Sequence, residues 1–135
     1  MGMVFFVKNF ISWFRLKIKI DGSNHKPPFF REGEVWWCST GENIGGEISG
    51  KGPHFRRPVL IVRKLDRFSF VGIPLTSRYK EGTWYFALKV KDRDNFAVLS
   101  QVRHTDYRRM DKILCTIPTD ELCRIKKAVT DLLEG

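Results

Sequence analysis

Two short apolar runs in this 135-residue chain each deliver polar groups to one end. Phe55-Arg56-Arg57-Pro58-Val59-Leu60-Ile61-Val62 opens on two guanidinium groups, and Phe68-Ser69-Phe70-Val71-Gly72-Ile73-Pro74-Leu75-Thr76-Ser77 closes on two hydroxyls. Pro58 holds Arg57 to extended conformations, so its guanidinium is aimed by the backbone. A fixed guanidinium grips two oxygens of a phosphate at once, and a hydroxyl donates to a third, the combination that stabilises charge developing on a phosphoryl group. Paired antiparallel across Leu65-Asp66-Arg67, the runs would bring Arg57 and Thr76 to the same edge. The plainer readings are a solvated Arg-Arg pair and hydroxyls that close a turn. A third polar stretch, from Ser100 to Met110, adds Gln101, Arg103, His104, Arg108 and Arg109.

Other chemistry is missing. The chain has no GxxxxGK[ST] loop, no HExxH and no GxSxG, and its carboxylates are scattered. Cys38, Cys115 and Cys123 are odd in number and lack metal-ligand spacing, which points to neither a zinc site nor a disulfide framework and suits a reducing cytoplasm. The net charge of +9 favours an anionic partner: a nucleic-acid backbone, an acidic protein segment or an anionic membrane surface.

The elements that must hold these groups are short strands. Glu34–Ser39, the two runs above, 83–90, 96–102 and 112–117 read as six strands of a small, strongly bent sheet or barrel. A glycine-rich segment, 41–53, reads as a mobile loop over a concave face. At the C-terminus Thr119 is placed to cap a helix whose stripe Leu122, Ile125, Val129 and Leu132 faces the core. At the N-terminus Phe6, Phe10, Trp13, Phe14 and Lys17 predict an amphipathic helix over about 4–16, followed by a breaker-rich linker from Asp21 to Pro28. Packing on the core or a partner is the simpler use of that helix, and a membrane surface the sharper one. Its apolar run is too interrupted to span a bilayer. Two units are therefore expected: helix and linker over 1–30, and a barrel domain over 31–135.

Taken in order, Gly33-Glu34-Val35-Trp36, Gly45-Gly46-Glu47, Arg57-Pro58-Val59-Leu60-Ile61-Val62, Pro74-Leu75-Thr76-Ser77, Leu99-Ser100-Gln101-Val102-Arg103-His104-Thr105-Asp106 and Arg108-Arg109-Met110 form a set. With the C-terminal helix, this set resembles the PemK/MazF-type toxins of type II toxin–antitoxin systems. The resemblance implies a mainly β, SH3-like small barrel and a homodimer. It also implies an endoribonuclease that needs neither metal nor cofactor and cleaves single-stranded RNA by attack of the ribose 2′-hydroxyl. It assigns the chemistry to Arg57 and Thr76, and RNA binding or ordering of the site to Glu47, Gln101 and Arg103. Arg56 and Ser77, beside the catalytic pair, join the substrate-binding set, and an acidic antitoxin is the expected protein partner.

Two positions depart from the pattern of some relatives: Gly46 stands where they carry a histidine before the loop acid, and Ser100 where they carry aspartate. His54 and His104 are nearby candidates for the proton acceptor, since imidazole titrates near neutrality, with plain surface histidines as the alternative. The departures also sustain a second reading from another class, a barrel that binds nucleic acid or an acidic peptide without cutting it.

Overall fold

The computed structural model describes residues 8–135. Its elements are α1 (Phe10–Asp21), β1 (Glu34–Ser39), β2 (Arg56–Lys64), β3 (Ser69–Thr76), β4 (Tyr85–Val90), β5 (Arg93–Val98), β6 (Arg103–Asp106), β7 (Met110–Thr116) and α2 (Thr119–Glu134). The strands form one sheet in the order β4-β5-β3-β2-β1-β7, with β6 also paired to β3. β3 is the bend: its first half pairs with β6 from Ser69↔Asp106 to Gly72↔Arg103, and its end pairs with β5 at Leu75↔Ala97 and Thr76↔Phe96. The result is a half-barrel, mainly β, carrying a helix at each end of the chain.

Local chemistry sets the turns. In the β2–β3 turn Asp66 accepts from Phe68 N at 2.8 Å and from the Ser69 hydroxyl at 3.0 Å, which fixes the register that continues to Val59↔Pro74. Between β4 and β5, Lys91 and Asp92 both take positive φ, the geometry of a two-residue hairpin turn.

The unbroken apolar run Val59-Leu60-Ile61-Val62 has a physical reason, because both faces of β2 are covered. On one face Leu60 and Val62 join Val35, Ile73, Leu75 and Leu99 beneath Leu122 and Ile125 of α2. On the other, Val59 and Ile61 pack with Phe30, Trp36, Cys38, Phe70, Tyr107 and Met110. The 22–33 segment belongs to this second core: Phe30 is fully buried, and the Tyr107 hydroxyl donates to His25 O at 2.6 Å.

Several boundaries differ from the sequence reading. Phe6 and the rest of 4–7 lie outside the described residues; the described helix begins after the Asn9 cap and runs to Asp21, past the expected end at 16. Only Trp13 of α1 is buried, while Phe10, Ile11, Phe14 and Ile18 face solvent. The expected strand over 96–102 is β5 ending at Val98, then a 3-10 turn Leu99–Gln101. A seventh strand, β6, was hidden because Arg103–Asp106 is four residues long and polar. Pro118 rather than Thr119 occupies the cap of α2, and it supplies no side-chain bond. No helix among the described residues is long and apolar enough to cross a membrane.

Candidate active site

Arg57 enters β2 from the glycine-rich loop, and the loop grips it from behind. Its Nε and Nη2 donate to Ser49 O at 2.8 and 2.6 Å, and its Nη1 donates to Leu75 O at 3.2 Å. A guanidinium has five N–H donors, so one on each terminal nitrogen is left over. Those two are free to donate to an anion such as a phosphate. Burial, reinforced by the neighbouring Arg78 cation, lowers the Arg57 pKa. Arginine nonetheless stays charged in proteins, so the group remains a cation with thinned hydration.

Thr76, at the end of β3, is buried, and its Oγ1 accepts from Arg78 N at 3.3 Å. That bond uses a lone pair and leaves the hydroxyl proton to donate elsewhere. Arg57 and Thr76 line one open cleft of about 550 Å³, together with Lys8, Glu47, Arg78, Lys80, Tyr85 and Gln101. The cleft is rich in cations, with Lys8, Lys51, Arg57, Arg78 and Lys80 against the carboxylates Glu42 and Glu47. Such a surface concentrates anions before any specific contact is made.

The 41–53 loop that lines this cleft is tied by hydrogen bonds along its length. Asn43 bridges it internally, donating from Nδ2 to Thr40 O at 3.2 Å and Ile48 O at 2.7 Å, while its backbone N donates to the Ser49 hydroxyl at 2.9 Å. Gln101, on the 3-10 turn after β5, accepts from Ile48 N at 2.6 Å and donates to Gly46 O at 3.2 Å. At the neck, Gly50 N donates to Gly41 O at 2.8 Å, and Phe55 adopts φ 51°, in the left-handed region unusual for a bulky residue. Glu47 sits exposed at the crest, its Oε1 accepting from Ile44 N at 3.0 Å.

The remaining sequence candidates divide. Glu47 and Gln101 join Arg57 and Thr76 in the cleft. Arg103 lies across the loop, lining a second cavity of about 540 Å³ with Thr40, Thr105 and Arg109, which shares Gly46, Glu47, Ile48 and Gln101 with the first. Arg56 and Ser77 line a third cavity behind Arg57, and Arg56 is ion-paired with Asp111 at 3.2 Å. Arg57 lines this third cavity as well as the cleft, so it stands between the two. His54 and His104 are exposed and line none of these cavities. Arg78 and Lys80, passed over in the sequence, follow directly on the hydroxyl pair Thr76-Ser77, and that adjacency was the available signal. Lys8 gave none. Among the described residues no three His, Cys, Asp or Glu side chains come together as a metal site.

A mainly β half-barrel of this topology is the fold of a class of small toxin proteins. Residues 31–133 match the family model described as PemK-like, MazF-like toxin of type II toxin-antitoxin system, and the chain belongs to that family. Solved structures share the fold. MazF from Deinococcus radiodurans superposes with a TM-score of 0.61 at 21% identity, covering 83% of this chain and 100% of that one. An endoribonuclease in complex with its cognate antitoxin, from a mycobacterial species, gives 0.61 at 17% identity over 78% of this chain and 96% of that one. A MazE–MazF complex from Deinococcus radiodurans gives 0.55 at 19%, covering 82% and 97%. No curated protein matches the chain in sequence. The family match begins at residue 31, so α1 lies outside it.

Proposed function

We propose that this toxin is a metal-independent endoribonuclease that cuts single-stranded RNA at the Arg57–Thr76 cleft. The observation that carries the reading is the geometry of Arg57: three N–H groups are spent on Ser49 O and Leu75 O, and two are left in the cleft that Thr76 also lines. In the proposed step the ribose 2′-oxygen attacks the adjacent phosphorus, the new O–P bond forms, and the bond to the 5′-oxygen breaks. The 2′-hydroxyl proton passes to solvent water, and the departing 5′-oxygen takes one from solvent. Arg57 bridges two equatorial oxygens of the phosphorane, and Thr76 donates to a non-bridging oxygen, so both bind the transition state more tightly than the ground state. The products are a 2′,3′-cyclic phosphate and a 5′-hydroxyl.

Gln101 orders the loop, while Glu47 and Arg103 extend the binding surface on either side of it. The structural relatives that were crystallised with antitoxins support an antitoxin for this chain too. The +9 charge suits one with an acidic segment. A homodimer in the cytoplasm is part of the same reading.

Incubating the purified chain with a long single-stranded RNA in EDTA tests the proposal. Discrete fragments with wild type and none with Arg57→Ala are expected. Intact RNA in both, with tight salt-sensitive binding, would instead favour a barrel that binds without cutting.

A further inference from the structure

The helix that precedes the family-matched region is built into the catalytic loop. Trp13 is the one buried residue of α1, and its ring lies against Gly41, where a Cβ would fall 2.4 Å from two ring carbons. The same ring packs on Phe55 at 5.6 Å between centroids, and Arg109 sits over it at 5.8 Å. Gly41 and Phe55 are the neck of the loop, joined by Gly41 N→Phe55 O at 3.2 Å. Five residues before Trp13, ahead of the Asn9 cap, Lys8 reaches the loop crest, donating from Nζ to Asn43 O at 2.6 Å and to Gly45 O at 3.3 Å. The N-terminal segment therefore holds the loop at both ends, and the loop in turn presents Ser49 O to Arg57.

We propose that Lys8 and Trp13 are positioning residues that clamp the 41–55 loop in the conformation that aims Arg57. The N-terminal extension is then a working part of the site rather than an appendage. An ammonium on two backbone carbonyls is a charge-assisted contact, stronger than a neutral one. The Trp13 ring fills the neck so closely that the loop cannot swing away without exposing it. The cleavage arm of the test rests on the endoribonuclease reading; the loop arm does not.

The experiment is hydrogen exchange by mass spectrometry on the full-length chain, alongside RNA cleavage, for Lys8→Met, Lys8→Arg and Trp13→Ala. In Lys8→Met and Trp13→Ala, amides of 42–50 are expected to exchange at least about tenfold faster, with β2 and β3 unchanged, because the loop opens locally. In the same variants kcat is expected to fall about tenfold with KM moving much less, and Lys8→Arg is expected to restore both readouts. Unchanged loop exchange in Lys8→Met overturns the proposal. So does faster exchange spread through β2 and β3, which reports general unfolding, or wild-type kcat despite a freed loop. A wild-type chain that cuts no RNA refutes the endoribonuclease reading, while the exchange result still decides whether the clamp exists.

Discussion

Replacing Arg57 with lysine keeps the charge and removes the fork, which makes it the sharpest perturbation of the cleft. Arg57 holds Ser49 O through two donors and Leu75 O through a third, and it has one donor left on each terminal nitrogen. A lysine ammonium is a single point donor with a shorter reach, so it cannot bridge Ser49 O and Leu75 O and also present two parallel N–H groups to a phosphate. Losing hydrogen bonds from a charged donor to half-buried carbonyls costs about 1.5–3 kcal/mol of stability. Urea denaturation followed by circular dichroism measures that loss, and the variant remains folded if the parent has ordinary stability. Catalysis should suffer more. Removing one aimed donor from a developing oxyanion costs roughly 10²–10³ in kcat. Initial rates on a short RNA bearing one cleavage site are expected to show that fall in kcat with KM changed by less than about threefold, since the charge that attracts RNA is retained. A folded Arg57→Lys protein that cleaves within about threefold of wild-type kcat would refute the bidentate role.

Three further outcomes follow from particular contacts. Thr76→Val removes the hydroxyl while keeping the shape, so kcat on the same RNA should fall about 10²-fold and Thr76→Ser should recover most of it. Gly50→Ala would set its Cβ 1.8 Å from Phe55 O, a backbone atom that cannot step aside. The loop neck must open, with a loss of about 1–3 kcal/mol by urea denaturation and a fall in cleavage. Cys38 is fully buried, and burial pushes its thiol up to about 12 from an ordinary 9.0. Because the folded pKa is the raised one, its contribution is fully present below pH 9.0 and is lost as pH climbs toward about 12, where the unfolded chain sheds the proton first. Thermal melts across that window should drop more steeply for wild type than for Cys38→Ala, and iodoacetamide should modify exposed Cys123 well before Cys38.

What was legible in the sequence was whatever a short range could specify. β1 was read at Glu34–Ser39, as observed, because its apolar residues are bounded by Gly33 and Thr40-Gly41. The β2–β3 hairpin followed from its turn residues, and with it the nearness of Arg57 to Thr76, since pairing at Val59↔Pro74 brings their ends together. Features made at long range were hidden. β6 owes its existence to β3, not to its own propensity, and Leu99–Gln101 turns because Leu99 is buried against the core and Val102 N bonds back to Leu99 O. The glycines of 41–53 suggest mobility, yet Asn43, Gln101, Lys8 and Trp13 tether that loop through contacts up to 55 residues away in sequence. Their partners also decided that Arg56 pairs with Asp111 while Arg57 is held by Ser49 O, a distinction that an Arg-Arg dipeptide does not carry on its surface.

If the cleft makes the ribose 2′-hydroxyl the nucleophile, a change at that one oxygen of the substrate must abolish cleavage. Two synthetic RNAs, identical except for a single 2′-deoxy sugar on the 5′ side of the cut phosphate, should be incubated with the wild-type chain in EDTA and their products weighed by mass spectrometry. The all-ribose strand is expected to yield fragments ending in a 2′,3′-cyclic phosphate and beginning with a 5′-hydroxyl, and the 2′-deoxy strand to stay intact. Cleavage of the deoxy-substituted strand at the same position, or fragments beginning with a 5′-phosphate, would contradict attack by the 2′-hydroxyl.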